Sequence, residues 1–215
     1  MRSGERISVF SHVAGAAAAV AGTIVLLTAA RGAADYMTVA LVYGCSAVFM
    51  FSASSLYHAF KKGENEISLW RKLDHIAIFF MIAGTYTPMC YIYLTGWWRW
   101  AIIIVQWSVV VFGLFFKIFY LNAPRLLYTV MYVLMGWVAV IPIKQLIDVM
   151  PAGSLMLVLA GGIAYTAGAV MYAAKKPVII PGMFGYHEIF HLFILAGATL
   201  HYLMIYHAIR GAVGA

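Results

Sequence analysis

Seven apolar segments constrain what this chain can fold into. Each is close to the roughly 20 residues that an α-helix needs to cross the hydrocarbon core of a bilayer. They lie at 8–30, 36–60, 74–95, 99–120, 126–143, 154–173 and 184–208. Of the 215 residues, 65% are hydrophobic and 10% charged, a composition that excludes a soluble globular protein. We therefore expect an all-α polytopic membrane protein, with one seven-transmembrane helix bundle over residues 1–215.

Positive charge is distributed unevenly between the two predicted sides of the membrane. If the N-terminus is inside, the inner segments carry ten lysines and arginines: Arg2, Arg6, Lys61, Lys62, Arg71, Lys72, Lys117, Arg125, Lys175 and Lys176. The outer segments carry four: Arg31, Arg99, Lys144 and Arg210. Because positively charged short loops stay cytoplasmic, this distribution predicts a cytoplasmic N-terminus and an external C-terminus. The net charge of +7 then faces anionic lipid headgroups, and no nucleic-acid partner is expected.

Polar side chains from three predicted spans lie at one depth in the membrane. His58 is near the end of the second segment, Asp74 opens the third, and His187 and His191 are in the first turns of the seventh. Residues four apart share a helix face, which pairs His187 with His191 and Ser54 with His58. Polar groups within lipid normally contact one another or water, so we expect these side chains to form one site.

Three neutral imidazoles with one open position are the ligand set of a catalytic zinc site. The pattern predicts Zn²⁺ bound by His58, His187 and His191, with Asp74 as the base or water-orienting group and Ser54 as a hydrogen-bond partner. Each residue taken alone has a simpler explanation. A membrane histidine can form an interhelical hydrogen bond, Asp74 can interact with a helix N-terminus and a neighbouring lysine, and Ser54 can bond back to a carbonyl. The prediction depends on the set.

Glu188 introduces a competing interpretation. The segment starting at His187 matches His-Glu-x-x-His, the signature of zincin metalloproteases, in which the glutamate is the general base. An intramembrane protease would take its third ligand from another helix, and His58 is available for that role. Alternatively, Glu188 lies at headgroup level near the lysines of the preceding loop. The residues alone leave open whether Asp74 or Glu188 is the base.

The remaining histidines are expected to have other roles. His201 lies ten residues beyond His191, about 15 Å further along a helix axis, and so cannot share its metal. His75 is adjacent to Asp74 and is expected to point elsewhere. For His12 the prediction is a packing role.

Four stretches of the chain resemble the hemolysin III family, the bacterial branch of the progestin and adipoQ receptor (PAQR) family. They are ERISVFSHVAG from Glu5, SSLYHAF from Ser54, KLDHIAIFFMIAGTYTP from Lys72 and HEIFHLFILAGATLHY from His187. The resemblance covers nearly the whole chain. It implies a seven-helix fold in the bacterial cytoplasmic (inner) membrane, with the N-terminus in the cytoplasm.

The resemblance also implies a zinc near the cytoplasmic face. Its ligands would be His58, His187 and His191, and Asp74 and Ser54 would lie close to the bound water. The position of Glu188 is not part of the family motif, which argues against the protease interpretation. The chain lacks the long N-terminal domain of the receptor members, so hormone binding is not expected.

Three functions are compatible with these residues. The first is a zinc-dependent lipid amide hydrolase, similar to a ceramidase, that acts in membrane-lipid homeostasis on a lipid-like substrate. The second is a non-enzymatic sensor or regulator of membrane state with a structural zinc, and the third is a cytolysin. Membrane lipids are the expected partners in each case, and a homo-oligomer is possible.

Overall fold

The computed structural model describes residues 3–63 and 66–214 of the chain, which form an almost entirely helical bundle. This confirms the predicted all-α class. The helices are α1 (Ser3–Ala29), α2 (Ala34–Phe60), α3 (Leu69–Tyr93), α4 (Gly96–Phe119), α5 (Arg125–Gly136), α6 (Ile143–Val149), α7 (Ala152–Ala174) and α8 (Tyr186–Gly214). A single 3₁₀ turn, Val138–Val140, follows α5. A short antiparallel hairpin of β1 (Val178–Ile180) and β2 (Phe184–Gly185) precedes α8.

Among the described residues, six helices are long and apolar enough to cross a membrane, and a bent pair forms the seventh crossing if it counts as one span. The six are α1 to α4, α7 and α8, so the chain is a multi-pass membrane protein. The predicted fifth span, 126–143, is instead α5 and α6 with a bend of 54° between them. Pro142 lies at this break. Proline has no backbone N–H and its ring clashes with the preceding helical turn, so a helix does not continue straight through it.

The start of α3 changes the position of one predicted site residue. The helix begins at Leu69, five residues before the predicted boundary, because the Ser68 hydroxyl caps it by accepting the backbone N–H of Arg71 at 3.3 Å. Asp74 consequently lies in the second turn of α3 and not at the entrance of the helix. The last helix also differs, since it continues to Gly214 and not only to residue 208.

The central helices α2 and α3 are the most buried, while α1, α4, α7 and α8 expose aliphatic and aromatic side chains on their outer faces. Such faces suit contact with lipid. Small residues bring α7 and α8 close together. A Cβ atom on Gly161 of α7 would lie 2.3 Å from a ring atom of His201 on α8. The same applies to Gly197 of α8, where a Cβ would lie 2.8 Å from the Tyr165 ring.

Three connections lie at the end of the bundle where α8 begins, which we call the basic end. They are the described residues 61–63 and 66–68 between α2 and α3, residues 120–124 between α4 and α5, and the segment 175–185 that contains the hairpin. Lysines at 61, 62, 175 and 176 lie there. The predicted site histidines therefore share one end of the bundle.

We predict that the basic end faces the cytoplasm, because most of the positive charge is located there. Alkaline phosphatase fused to the C-terminus should be active, and green fluorescent protein fused at the same position should be dark. Fusions placed after Lys176, at the basic end, should give the reverse pair of results and serve as the matched control. A fluorescent C-terminal fusion with an inactive phosphatase would invert the orientation.

Candidate metal centre

Three imidazoles converge at the basic end of the bundle. His58 comes from the last turn of α2, and His187 and His191 come from the first two turns of α8. The Nε2 atom of His187 lies 3.2 Å from Nε2 of His58 and 3.2 Å from Nε2 of His191. One ligand atom from each residue lies within 4.8 Å of the others. The structure thus brings together the three residues that the sequence predicted as metal ligands.

The geometry of this cluster fits a metal ion better than a set of hydrogen bonds. A ring nitrogen carries either a proton or a lone pair in the ring plane, so Nε2 of His187 cannot be a good partner for both neighbours. A tetrahedral ion with metal–nitrogen distances of about 2.0–2.1 Å holds its nitrogen ligands about 3.3 Å apart. The two pairs that involve His187 are close to that spacing at 3.2 Å, and all three ligand atoms lie within 4.8 Å of one another. The donor set therefore fits Zn²⁺.

Glu5 orients one of these imidazoles, a role that sequence reasoning missed. Nδ1 of His58 lies 2.5 Å from Oε2 of Glu5, and Nζ of Lys61 lies 2.6 Å from Oε1 of the same carboxylate. When Nδ1–H donates to Glu5, the lone pair of His58 is on Nε2 and faces the cluster. Carboxylates hold metal-binding histidines in this way. Glu5 lies in the first family-like stretch, but nothing in its spacing connects residue 5 with residue 58.

Asp74 and Ser54 lie beside the three imidazoles. Both line the same cavity as His58, and Ser54 lies near enough to the Asp74 carboxylate to interact with it. Asp74 does not belong to the group of residues whose ligand atoms could bind one ion. This position is compatible with the predicted role of Asp74 as a water-orienting base, which stays a prediction.

Glu188 has a structural partner of its own. Its Oε2 accepts the backbone N–H of Gly185 at 2.8 Å, just before the first residue of α8. A glutamate three residues into a helix that bonds back to the capping position is half of a capping box. This hydrogen bond explains a carboxylate at position 188 without catalysis, and Glu188 is outside the three-histidine group.

Of the three other histidines discussed above, His12 and His75 lie close to the site and His201 does not. The ring of His12 stacks on that of His191 at a centroid distance of 3.9 Å, so His12 packs directly against a predicted ligand. His75, expected to point elsewhere, lines the same cavities as Asp74. His201 lies far along α8 as predicted, with Nε2 3.2 Å from a backbone carbonyl of α7.

The imidazoles lie between two cavities of different character. The first, which we call the apolar cavity, has a volume of about 160 Å³ and extends from the three histidines to His201 and Trp137. The second, the polar cavity, has a volume of about 420 Å³, and its walls include the hairpin and the basic side chains of Lys61, Arg71 and Arg125. Five residues line both cavities: Asp74, His75, Tyr128, Tyr172 and His187. The cluster is therefore accessible from an apolar and a polar compartment.

Comparison with known proteins identifies the family. The sequence profile described as haemolysin-III related matches residues 2–202. The chain belongs to this family. It is 33% identical over 203 residues to Hemolysin-3 of Bacillus cereus, covering 94% of this chain and 90% of that protein. It is 30% identical over 190 residues to the Hemolysin-3 homolog of Bacillus subtilis (strain 168), covering 87% and 85% respectively.

A more distant relative extends the likeness to the wider PAQR family. The Monocyte to macrophage differentiation factor of Homo sapiens is 24% identical over 175 residues, covering 78% of this chain and 68% of that protein. The resemblance inferred from the four sequence stretches is therefore confirmed.

We predict that single replacement of His58, His187 or His191 by Ala reduces bound zinc from near one ion per chain to a small fraction. Three protein ligands cannot lose one without a large loss of affinity. His201→Ala, which removes a histidine from the same helix at a distance, should leave the zinc content unchanged. Metal analysis of purified protein measures both. Full retention of zinc in His187→Ala would exclude the assignment.

We further predict that Glu5→Gln weakens zinc binding by about 10–100-fold, the usual cost of losing a carboxylate that orients a histidine ligand. Competition with a chromophoric chelator measures the affinity. Glu66→Gln is the matched control, because Glu66 is a carboxylate at the same end that bonds the backbone N–H groups of Lys62 and Gly63. Equal affinities for wild type and Glu5→Gln would contradict the orienting role.

Proposed function

We propose that this haemolysin-III related protein is a zinc-dependent hydrolase that cleaves amide bonds of lipids, similar to a ceramidase, in the bacterial cytoplasmic membrane. The observation that carries the proposal is the position of three converging imidazoles, with Asp74 and Ser54 beside them, where an apolar and a polar cavity meet. This arrangement suits a substrate with an acyl chain on one side of the scissile bond and a polar group on the other. The proposed physiological role is membrane-lipid homeostasis.

The apolar cavity supports an acyl chain as one part of the substrate. Between His191 and His201 it follows α8 for ten residues, about 15 Å, which is half of the roughly 30 Å hydrocarbon core. Trp137, after the end of α5, donates to Thr166 of α7 at 3.0 Å, and both residues line this cavity. Because Trp137 is also exposed on the outside of the bundle, we place the entry of the acyl chain between α5 and α7.

The proposed reaction uses groups of this chain for proton transfer. A bound zinc would polarise the substrate carbonyl and lower the pKa of water to about 7. Water reaches the site from the polar cavity, its oxygen is added to the acyl carbon, and its protons go to the amine nitrogen. Asp74 accepts a proton from water and returns it to the leaving nitrogen, while Ser54 holds the carboxylate by a hydrogen bond.

A second proposal is a non-enzymatic sensor of membrane state. One observation favours it: His58 of α2, His187 and His191 of α8, and Glu5 of α1 form a connected cluster. A metal with closed coordination would then tie three helices together, and its occupancy would control their packing. A third proposal, a cytolysin, rests on the name Hemolysin-3 carried by the relative from Bacillus cereus. Release of haemoglobin from erythrocytes would test it.

We predict that Asp74→Asn keeps its zinc while turnover falls by about 10²–10⁴-fold, the usual range for a lost general base. The substitution preserves the shape of the side chain and a hydrogen-bond partner for Ser54, but it removes the basic carboxylate. Release of fatty acid from ceramide-like and other N-acyl lipids, in detergent and in liposomes, measures turnover. Metal analysis of the same preparations measures zinc.

Glu188→Gln is the matched variant, since it neutralises a second carboxylate near the same histidines. It should keep most of the activity, because Glu188 caps α8. An inactive Glu188→Gln with an active Asp74→Asn would establish the zincin mechanism in place of ours. If zinc-loaded wild type cleaves no lipid amide, the sensor becomes the better proposal.

A further inference from the structure

The polar cavity contains two arginines that come from different helices. Arg71 is in the first turn of α3, and Arg125 is the first residue of α5. Both line the cavity, which reaches the proposed metal centre through Asp74 and His187. Neither arginine contributes to the reaction described above, so their placement needs its own explanation.

Neither guanidinium has a carboxylate partner among residues 3–63 and 66–214, where both salt bridges involve Glu5. Arg71 donates from Nη1 to Oδ1 of Asn122 at 2.7 Å and to a backbone carbonyl at 3.1 Å. Arg125 donates from Nη1 to the backbone carbonyl of Tyr172 at 3.2 Å and lies 4.5 Å from the centroid of its ring. These contacts position the guanidinium groups without neutralising them.

Three of the acidic side chains in or near this cavity already have other partners. Glu5 bonds His58 and Lys61, and Glu188 bonds a backbone N–H at the start of α8. Glu66 accepts from two backbone N–H groups and from the hydroxyl of Ser68. Asp74 also lines the cavity and interacts with Arg71 at longer range, but no described carboxylate lies within salt-bridge distance of either guanidinium group.

A third cation lies behind the cavity wall. Lys117 of α4 is fully buried, and its Nζ has no hydrogen-bond partner in the part of the chain that the structure describes. It lies 3.9 Å from the centroid of the Tyr128 ring, which lines both cavities. Burying cations without a directly paired opposite charge is costly, and Arg71 is itself only 6% exposed. An anionic ligand would offset this cost.

We propose that the polar cavity binds the phosphate headgroup of a lipid whose acyl chain occupies the apolar cavity. The assignment of this lipid as a substrate rests on the function proposed above. Its binding in the two cavities does not depend on that function. Guanidinium groups form paired, charge-assisted hydrogen bonds with phosphate oxygens, and Arg71 and Arg125 on two helices can serve different oxygens of one group. A fatty-acid carboxylate fits less well, because it ends its acyl chain and would lie at the histidines.

The experiment compares probes that share one alkyl chain and differ in their headgroup. Purified wild type with its zinc, in a neutral detergent, is titrated calorimetrically with an alkyl-ether glycerol phosphate and with the corresponding alkylglycerol. The ether linkage prevents cleavage. We expect the phosphate-bearing probe to bind at least about tenfold more tightly, as one strong charge-assisted pair would provide. The preference should persist after zinc is removed with a chelator, which excludes binding of phosphate to the metal.

Two variants locate the preference. Arg71→Gln and Arg125→Gln should each reduce affinity for the phosphate-bearing probe by about tenfold while binding of the alkylglycerol is unchanged. Arg99→Gln is a closely matched control, because Arg99 also lies over a tyrosine ring, 5.0 Å from the centroid of Tyr91, and donates to a backbone carbonyl at 2.8 Å. It belongs to the opposite end of the bundle and should change nothing. If a cavity variant fails to fold, the comparison of probes on wild type still decides.

Other outcomes would overturn the proposal. Equal binding of the two alkyl probes would exclude a phosphate site and would leave the hydrolase test on Asp74 unaffected. Binding of inorganic phosphate as tight as that of the lipid would indicate a site for free phosphate. A fatty acid that binds as well as the phosphate-bearing probe would place a simple carboxylate there. A phosphate preference without any lipid cleavage would support this inference while contradicting the hydrolase.

Discussion

Three converging imidazoles inside an apolar bundle, with His187 at 3.2 Å from each of the other two, are the constraint on which the functional end of this protein depends. Polar groups in such surroundings need partners, and His187 cannot satisfy both of its neighbours by hydrogen bonding. A metal ion satisfies all three at once. The requirement joins α2 to the start of α8, and the bond from Glu5 to His58 extends the connection to α1.

The same arrangement places the cluster between the apolar cavity and the polar cavity. The apolar cavity extends towards the interior of the bundle and is lined mainly by apolar and aromatic side chains as far as Trp137. The polar cavity lies towards the basic end, and its lining includes Lys61, Arg71 and Arg125. An amphiphile is the ligand class that matches such a pair of compartments. The hydrolase and the phosphate-binding inference use different halves of this space, which is why the experiments above can separate them.

Local patterns allowed the sequence to predict much of this protein. Segment length and apolar composition predicted the spans, because a helix must satisfy its own backbone in lipid. The four-residue spacing of His187 and His191 placed both on one face, since that relation is a property of a single helix. The break in the fifth span was not predicted, because apolar length says nothing about bending, although Pro142 is a signal for it.

Only the tertiary structure decided the relations between residues that are far apart in the chain. Glu5 and His58 are 53 positions apart, and their hydrogen bond exists because α1 packs against α2. The stacking of His12 on His191 and the meeting of Arg71 with Arg125 at one cavity arise in the same way. By itself the sequence determined the spans other than the fifth, the family and, as a hypothesis, the ligand histidines. Helix packing determined which carboxylate orients a ligand and which cations share a cavity, because side chains on different helices have no fixed spacing along the chain.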